Sequence, residues 1–135
     1  MKGAIYWFIV LVATTTISCD KQRESLHEDT LGVGQCKTYK VAPANITICF
    51  EAVEQESRCP VGVTCVWEGI AVTRFRAGIG ADNHIITLAT RDFHTYSKDT
   101  LVDGVTIELV NLTPYPDATA TTTSNSYRAT LRVTR

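Results

Sequence analysis

No apolar run in this sequence exceeds the ten residues Ala4 to Ala13. A helix crossing the hydrocarbon core needs about 20, so that run is too short for a stable span. Neither charge dominates: 13 Lys and Arg stand against 14 Asp and Glu, a formal net charge of −1. A nucleic-acid binder needs a basic excess to displace counterions from phosphate, so this balance argues against one. Glycine and proline are sparse, at 8 and 4 residues, and the hydrophobic share is 44%, which excludes a wholly disordered or low-complexity chain. The 135 residues leave room for one domain. G-x-S-x-G, a glycine-rich phosphate loop and H-E-x-x-H are all missing. The three histidines, His27, His84 and His94, share no ligand spacing with one another or with the cysteines and read as surface side chains. No metal and no cofactor are expected.

What is present begins with an address. Lys2 gives a positive start, the apolar run follows, and Thr16-Ile17-Ser18-Cys19 closes it. This is the plan of an export signal rather than of a structural element. The segment resembles the lipobox of bacterial lipoproteins, although Thr16 stands where Leu is usual. The resemblance implies cleavage after Ser18, a diacylglycerol on the Cys19 thiol and an acylated new amino terminus, with palmitate a typical acyl group. The alternative is an ordinary secretory signal cut near Ser18. Cysteine arithmetic bears on the choice. There are five, Cys19, Cys36, Cys49, Cys59 and Cys65, and an odd number in an exported chain leaves one over. Lipidation of Cys19 accounts for it and leaves four for disulfides in an oxidising compartment. At about 0.8 kcal/mol per buried CH₂, two acyl chains anchor where one would be marginal. Asp20 to Thr30 is polar and offers little to bury, so the division expected is signal peptide 1–18, flexible tether 19–32 and folded domain 33–135.

In the domain the dominant period is two. Ile46, Ile48, Phe50 and Ala52 fall on one face; Val105, Ile107 and Leu109 alternate with Thr106 and Glu108; Tyr127, Ala129, Leu131 and Val133 alternate with polar neighbours. Asp103-Gly104 suits a tight hairpin turn. Strands are predicted near 35–41, 45–54, 63–67, 69–77, 84–90, 104–112 and 126–134. That is an all-β antiparallel sandwich of about seven strands, immunoglobulin-like in size, with a small closed barrel as the alternative. Thr113 to Asn125, with two prolines and then a Thr/Ala/Ser tract, reads as a long exposed connection and mobile spacer.

Cys59-Pro60-Val61-Gly62-Val63-Thr64-Cys65 is a short cysteine-bounded loop bent by Pro and Gly, so a local Cys59–Cys65 disulfide is geometrically easy. Trp67 beside it reads as a core plug; an exposed stacking platform for a sugar is the alternative. Cys36 and Cys49 both fall on the face opposite Tyr39, Val41, Ile46 and Ile48, which is compatible with a cross-strand Cys36–Cys49 bridge. Opposing them leaves only Ala42-Pro43 as the turn, an uncomfortable position for Pro.

The run Ser57-Arg58-Cys59-Pro60-x-Gly62-Val63-x-Cys65-x-Trp67-x-Gly69 resembles a family of uncharacterised bacterial exported and lipoprotein domains. The likeness extends over roughly 33–135, through Leu109 to Pro116 and the closing Tyr127 to Val133. Glu68 departs from the family's usual Ala, and cysteines at 36 and 49 are not general in it. The resemblance implies a small β-sandwich and carries no activity.

The functional expectation is therefore a non-enzymatic, lipid-anchored cell-envelope module with its domain in the periplasm or at the cell surface. Its partner would be an envelope protein or a glycan, with the membrane contacted through Cys19 and no nucleic acid. Arg74, Arg76, Tyr96, Tyr115 and the Thr-rich loop are the contact candidates. A protease inhibitor presenting Val61-Gly62-Val63 from the Cys59–Cys65 loop is the alternative, and an enzyme the third class. Aspartates such as Asp82, Asp92, Asp99 and Asp103 sit in turn-like contexts, and nothing selects a catalytic pair among them. The acceptor patterns at Asn45 and Asn111 carry no weight in a bacterial lipoprotein.

Overall fold

The computed structural model describes residues 26–135; the signal segment, Cys19 and the first part of the expected tether lie outside them. The period-two segments become strands β1 (His27–Gly32), β2 (Cys36–Val41), β3 (Ala44–Glu56), β4 (Ala71–Ile79), β5 (His84–Ala89), β6 (Asp99–Val102), β7 (Val105–Thr113) and β8 (Arg128–Thr134). They pair antiparallel in two four-stranded sheets, β1-β8-β7-β6 and β2-β3-β4-β5. The fold is an all-β sandwich, with the chain running up and down around it. Neighbours within each sheet are neighbours in sequence, except that β8 returns beside β1. The sheets do not join into a closed barrel. At one seam Ala89 N–H donates to Ser97 O at 2.8 Å. At the other, Lys37 Nζ meets Asp29 Oδ1 at 2.5 Å and His27 Nε2 lies 3.1 Å from Lys40 O.

The core lies where alternation put it. Tyr39, Val41, Ile46, Ile48, Phe50, Phe75 and Leu88 from one sheet face Leu31, Val105, Ile107, Leu109, Leu112, Leu131 and Val133 from the other, all essentially inaccessible. Phe50 and Phe75, opposed across β3 and β4, stack with ring centroids 4.9 Å apart. Burial of such side chains contributes about 1.5–3 kcal/mol each.

Four expectations are corrected. Residues 27–32 are not tether but an edge strand with β8, His27 opposite Val133 and Gly32 opposite Arg128. Their polarity was misleading because an edge strand buries little, here Leu31 and Gly32, while its backbone is satisfied by the ladder. Residues 63–67 form no strand, because the disulfide-closed loop curls the chain away from either sheet. Asp99–Val102 is an additional short strand, paired with β7. A bulge between Phe50 and Ala52 sets Ala52 opposite outward-facing Arg74, and Val53 packs against the core instead.

Both disulfides are present. Cys36 stands directly opposite Cys49 in the β2–β3 register, Cα atoms 3.9 Å apart, on the outer face as the parity required. Ala42-Pro43 is indeed the connecting turn, with a cis peptide bond between them. Asp103 and Gly104, at φ 51° and 77°, make the turn with two left-handed residues that Asp-Gly favours.

Candidate functional site

The two ends of the sandwich differ. One carries the tight turns at 42–43, 80–83 and 103–104, with the start of β1 and the end of β8. The other carries the long connections 57–70, 90–98 and 114–127. Ten large apolar side chains are exposed among the described residues, and seven of them, Val61, Val63, Val66, Trp67, Phe93, Tyr96 and Tyr115, belong to those three connections.

These connections are braced. The 57–70 segment continues the β3–β4 hairpin: Ser57 N–H donates to Ile70 O and Cys59 N–H to Glu68 O, each at 2.8 Å. Gly69 makes the close approach that this needs, at φ 70°, since a Cβ there would collide with Ser57 O. The Cys59–Cys65 disulfide, Cα atoms 5.9 Å apart, closes the tip. Val61 is then held against the 114–127 connection, donating to Pro116 O at 2.9 Å and accepting from Ala118 N–H at 3.3 Å. Asp117 caps that contact by accepting from the backbone and hydroxyl of Thr119, both at 2.7 Å; these bonds hold its carboxyl below the ordinary aspartate range. In the 90–98 connection, Phe93 and Tyr96 exchange two backbone hydrogen bonds of 3.0 and 2.9 Å, while Asp92 Oδ1 accepts from Lys98 N–H at 2.8 Å.

Arg58 fastens the base of this end and is itself only 7% exposed. Its guanidinium donates Nε to Glu56 Oε1 at 2.8 Å and NH2 to Glu56 Oε2 at 2.5 Å. NH1 reaches Leu112 O at 2.7 Å and NH2 also reaches Pro114 O at 3.1 Å. The Tyr115 ring covers it at 4.8 Å, a cation–π contact. Tyr127 Oη donates to Glu56 Oε2 at 3.2 Å, and burial, then the Glu56 charge, raises its pKa.

Above Arg58 is a cleft of about 240 Å³, lined by Arg58, Glu68, Gly69, Thr90, Arg91, Val110, Asn111, Leu112 and Tyr115. Arg91 NH1 bonds Glu68 Oε2 at 2.5 Å across its rim. Beside that pair, Trp67 lies against Phe93 with centroids 5.1 Å apart, and His94 meets Phe93 edge-on at 4.1 Å. The β7–β8 bulge between Leu109 and Asn111 makes the cleft wall. It turns Asn111 outward and Leu112 back into the core.

The sequence candidates divide. Tyr96 and Tyr115 come to this end, and so does the Thr-rich loop. Arg74 and Arg76 do not: they stand on the outer sheet face, where Arg74 pairs with Glu51 at 3.1 Å and Glu54 at 2.9 Å, and Arg76 with Glu51 at 3.2 Å. Trp67 is not a core plug; it is 45% exposed. Arg58, Glu68, Arg91, Phe93 and Asn111 had no role assigned from sequence. Arg58 stood inside the cysteine motif, but its partners at Leu112 and Pro114 are 54 and 56 residues distant. His27, His84 and His94 lie apart, His84 near Asp103 at 3.6 Å. Among the described residues no group of three or more His, Cys, Asp or Glu is placed to hold a metal ion.

No protein-family model, no curated protein and no solved structure matches this chain. Two disulfides fit an oxidising, extracytoplasmic environment. Among the described residues no helix is long and apolar enough to cross a membrane.

Proposed function

We propose that the protein is a non-enzymatic binding module of the bacterial cell envelope, anchored by lipid at Cys19 and working through its loop end. The observation that carries this reading is the concentration of exposed Trp, Tyr, Phe and Val on three braced connections at one end. Trp, Tyr and Arg are the side chains that dominate binding energy at interfaces. Rigid loops lose less conformational entropy when a partner docks. The placement of β1 supports the anchor: His27 enters at the opposite, tight-turn end. Seven residues lie between it and Cys19, eight steps of chain that span at most about 28 Å when fully extended. An anchor there would hold the loop end outward.

The test is photo-crosslinking in native envelopes, with a photoreactive residue at Val66 or, as control, at Leu101 on the β6 edge. Adducts from position 66 and none from 101 are the expected result. Equal labelling from both, or none from 66, would remove the loop end as the working face. For the anchor, the membrane-extracted protein should carry an acyl mass increment at Cys19, and an unmodified thiol there would refute it.

A second reading, protease inhibition, has one observation in its favour: Val61 and Val63 are exposed on a disulfide-closed loop whose backbone is braced from behind at Pro116 and Ala118. Dose-dependent inhibition across a protease panel supports it, and cleavage after Val61 or Val63 without inhibition rejects it.

A further inference from the structure

We infer that the Arg58–Asn111–Tyr115 cleft binds an uncharged sugar ring of an envelope glycan. The inference rests on the reading of the loop end as the working face and names the ligand class that this face takes.

Charge comes first. Both cations of the cleft are already matched, Arg58 by the two oxygens of Glu56 and Arg91 by Glu68. The cleft therefore has no net cation to attract a phosphate or carboxylate, and no net anion to attract an amine. What remains is hydrogen-bonding capacity without net charge. The Asn111 amide, outward on its bulge and bonded to no other described side chain, offers two donors and an acceptor. Glu68 Oε1 is a second acceptor. Arg58 uses its guanidinium in four protein hydrogen bonds of the five N–H groups available. Such a set matches neighbouring hydroxyls, each both donor and acceptor.

Shape and stacking point the same way. The volume of about 240 Å³ is enough for a single sugar ring. Tyr115, half-exposed, is fixed in orientation because Arg58 lies against it, which leaves a preset aromatic surface for the C–H face of a pyranose. Trp67 and Phe93, close in sequence to Glu68 and Arg91, form a further exposed aromatic pair at the same end.

The experiment uses the full chain in detergent micelles, titrated with N-acetylglucosamine tetramer, maltotetraose and, as charged control, tetragalacturonate. Binding is followed by calorimetry and by amide chemical shifts. A neutral oligosaccharide is expected to bind with a Kd near or below about 1 mM. Asn111→Ala should weaken it about fivefold through a lost hydrogen bond. Tyr115→Ala should weaken it by a similar factor of about five through lost ring contact, and Tyr115→Phe should restore it to within about twofold. Unchanged melting of Asn111→Ala confirms that this variant is folded. No response to either neutral oligosaccharide at about 20 mM, preference for the charged one, or equal binding by the variants would overturn the inference. A protein adduct from Val66 with no saccharide response would reject the sugar while leaving the loop end as the working face. Loss of both results would reject both.

Discussion

Arg58 donates NH1 to the carbonyl oxygen of Leu112 at 2.7 Å, across 54 residues of chain. That bond ties the cysteine-closed loop of one sheet to the end of β7 in the other. Together with the Glu56 pair it sets the distance between the loops that form the cleft.

Replacing Arg58 with Ala is expected to lower stability by about 3 kcal/mol, because it strips Glu56, Leu112 O and Pro114 O of their donor in a largely buried place. Glu56→Ala should cost a similar amount, about 3 kcal/mol, by leaving a buried guanidinium uncompensated. The double variant should lose clearly less than the sum. Urea denaturation of the three proteins checks this, and strict additivity would show that the pair does not act as a unit.

The two disulfides should contribute unequally. In the chain-entropy treatment, a loop of separation 13 for Cys36–Cys49 gives about 3 kcal/mol, and one of separation 6 for Cys59–Cys65 about 2 kcal/mol. Paired Cys→Ala variants, compared by denaturant midpoint, should follow that order. The reverse order would mean that the loop disulfide braces native structure beyond its closure entropy.

Gly69→Ala should be among the most damaging substitutions in the loop end. The position combines φ 70° with a Cβ that would meet Ser57 O, and relief requires opening the Ser57–Ile70 and Cys59–Glu68 pairs. A loss of about 3 kcal/mol is expected, together with faster proteolysis within 57–70. Wild-type stability would show that the hairpin base can shift without cost.

Tyr39 is 2% exposed, and among the described residues its hydroxyl has no hydrogen-bond partner. Burial, with a smaller part from the Asp29 charge, pushes its pKa up to about 12. Below pH 10 the phenol is neutral in both states. Between pH 10 and 12 the unfolded chain releases the proton while the folded one retains it, so folding stability falls with rising pH. Tyr39→Phe should raise stability at neutral pH by about 1 kcal/mol, since an unsatisfied hydroxyl leaves the core, and should flatten that alkaline decline. Tyr127, also raised, will preserve part of the slope. A destabilised Tyr39→Phe protein would show that the hydroxyl is satisfied after all.

Alternation of apolar and polar residues by itself determined that this chain makes antiparallel strands, which side chains face the core and on which face Cys36 and Cys49 meet. It could do so because a strand's side-chain direction depends only on parity. The spacing and bend of Cys59 to Cys65 determined their pairing for an equally local reason. The tertiary structure decided what depends on distant partners. Polar His27–Gly32 is a strand because β8 offers an open ladder. The bulges beside Phe50 and Leu109 swap which neighbour faces inward, setting Val53 against the core and Asn111 in the cleft. Trp67 lies in the open because the curled 57–70 segment carries it away from both sheets and sets it against Phe93. The cleft itself exists only because Arg58 gathers Glu56, Leu112, Pro114 and Tyr115, residues whose nearness is a property of the folded sandwich and not of any stretch of sequence.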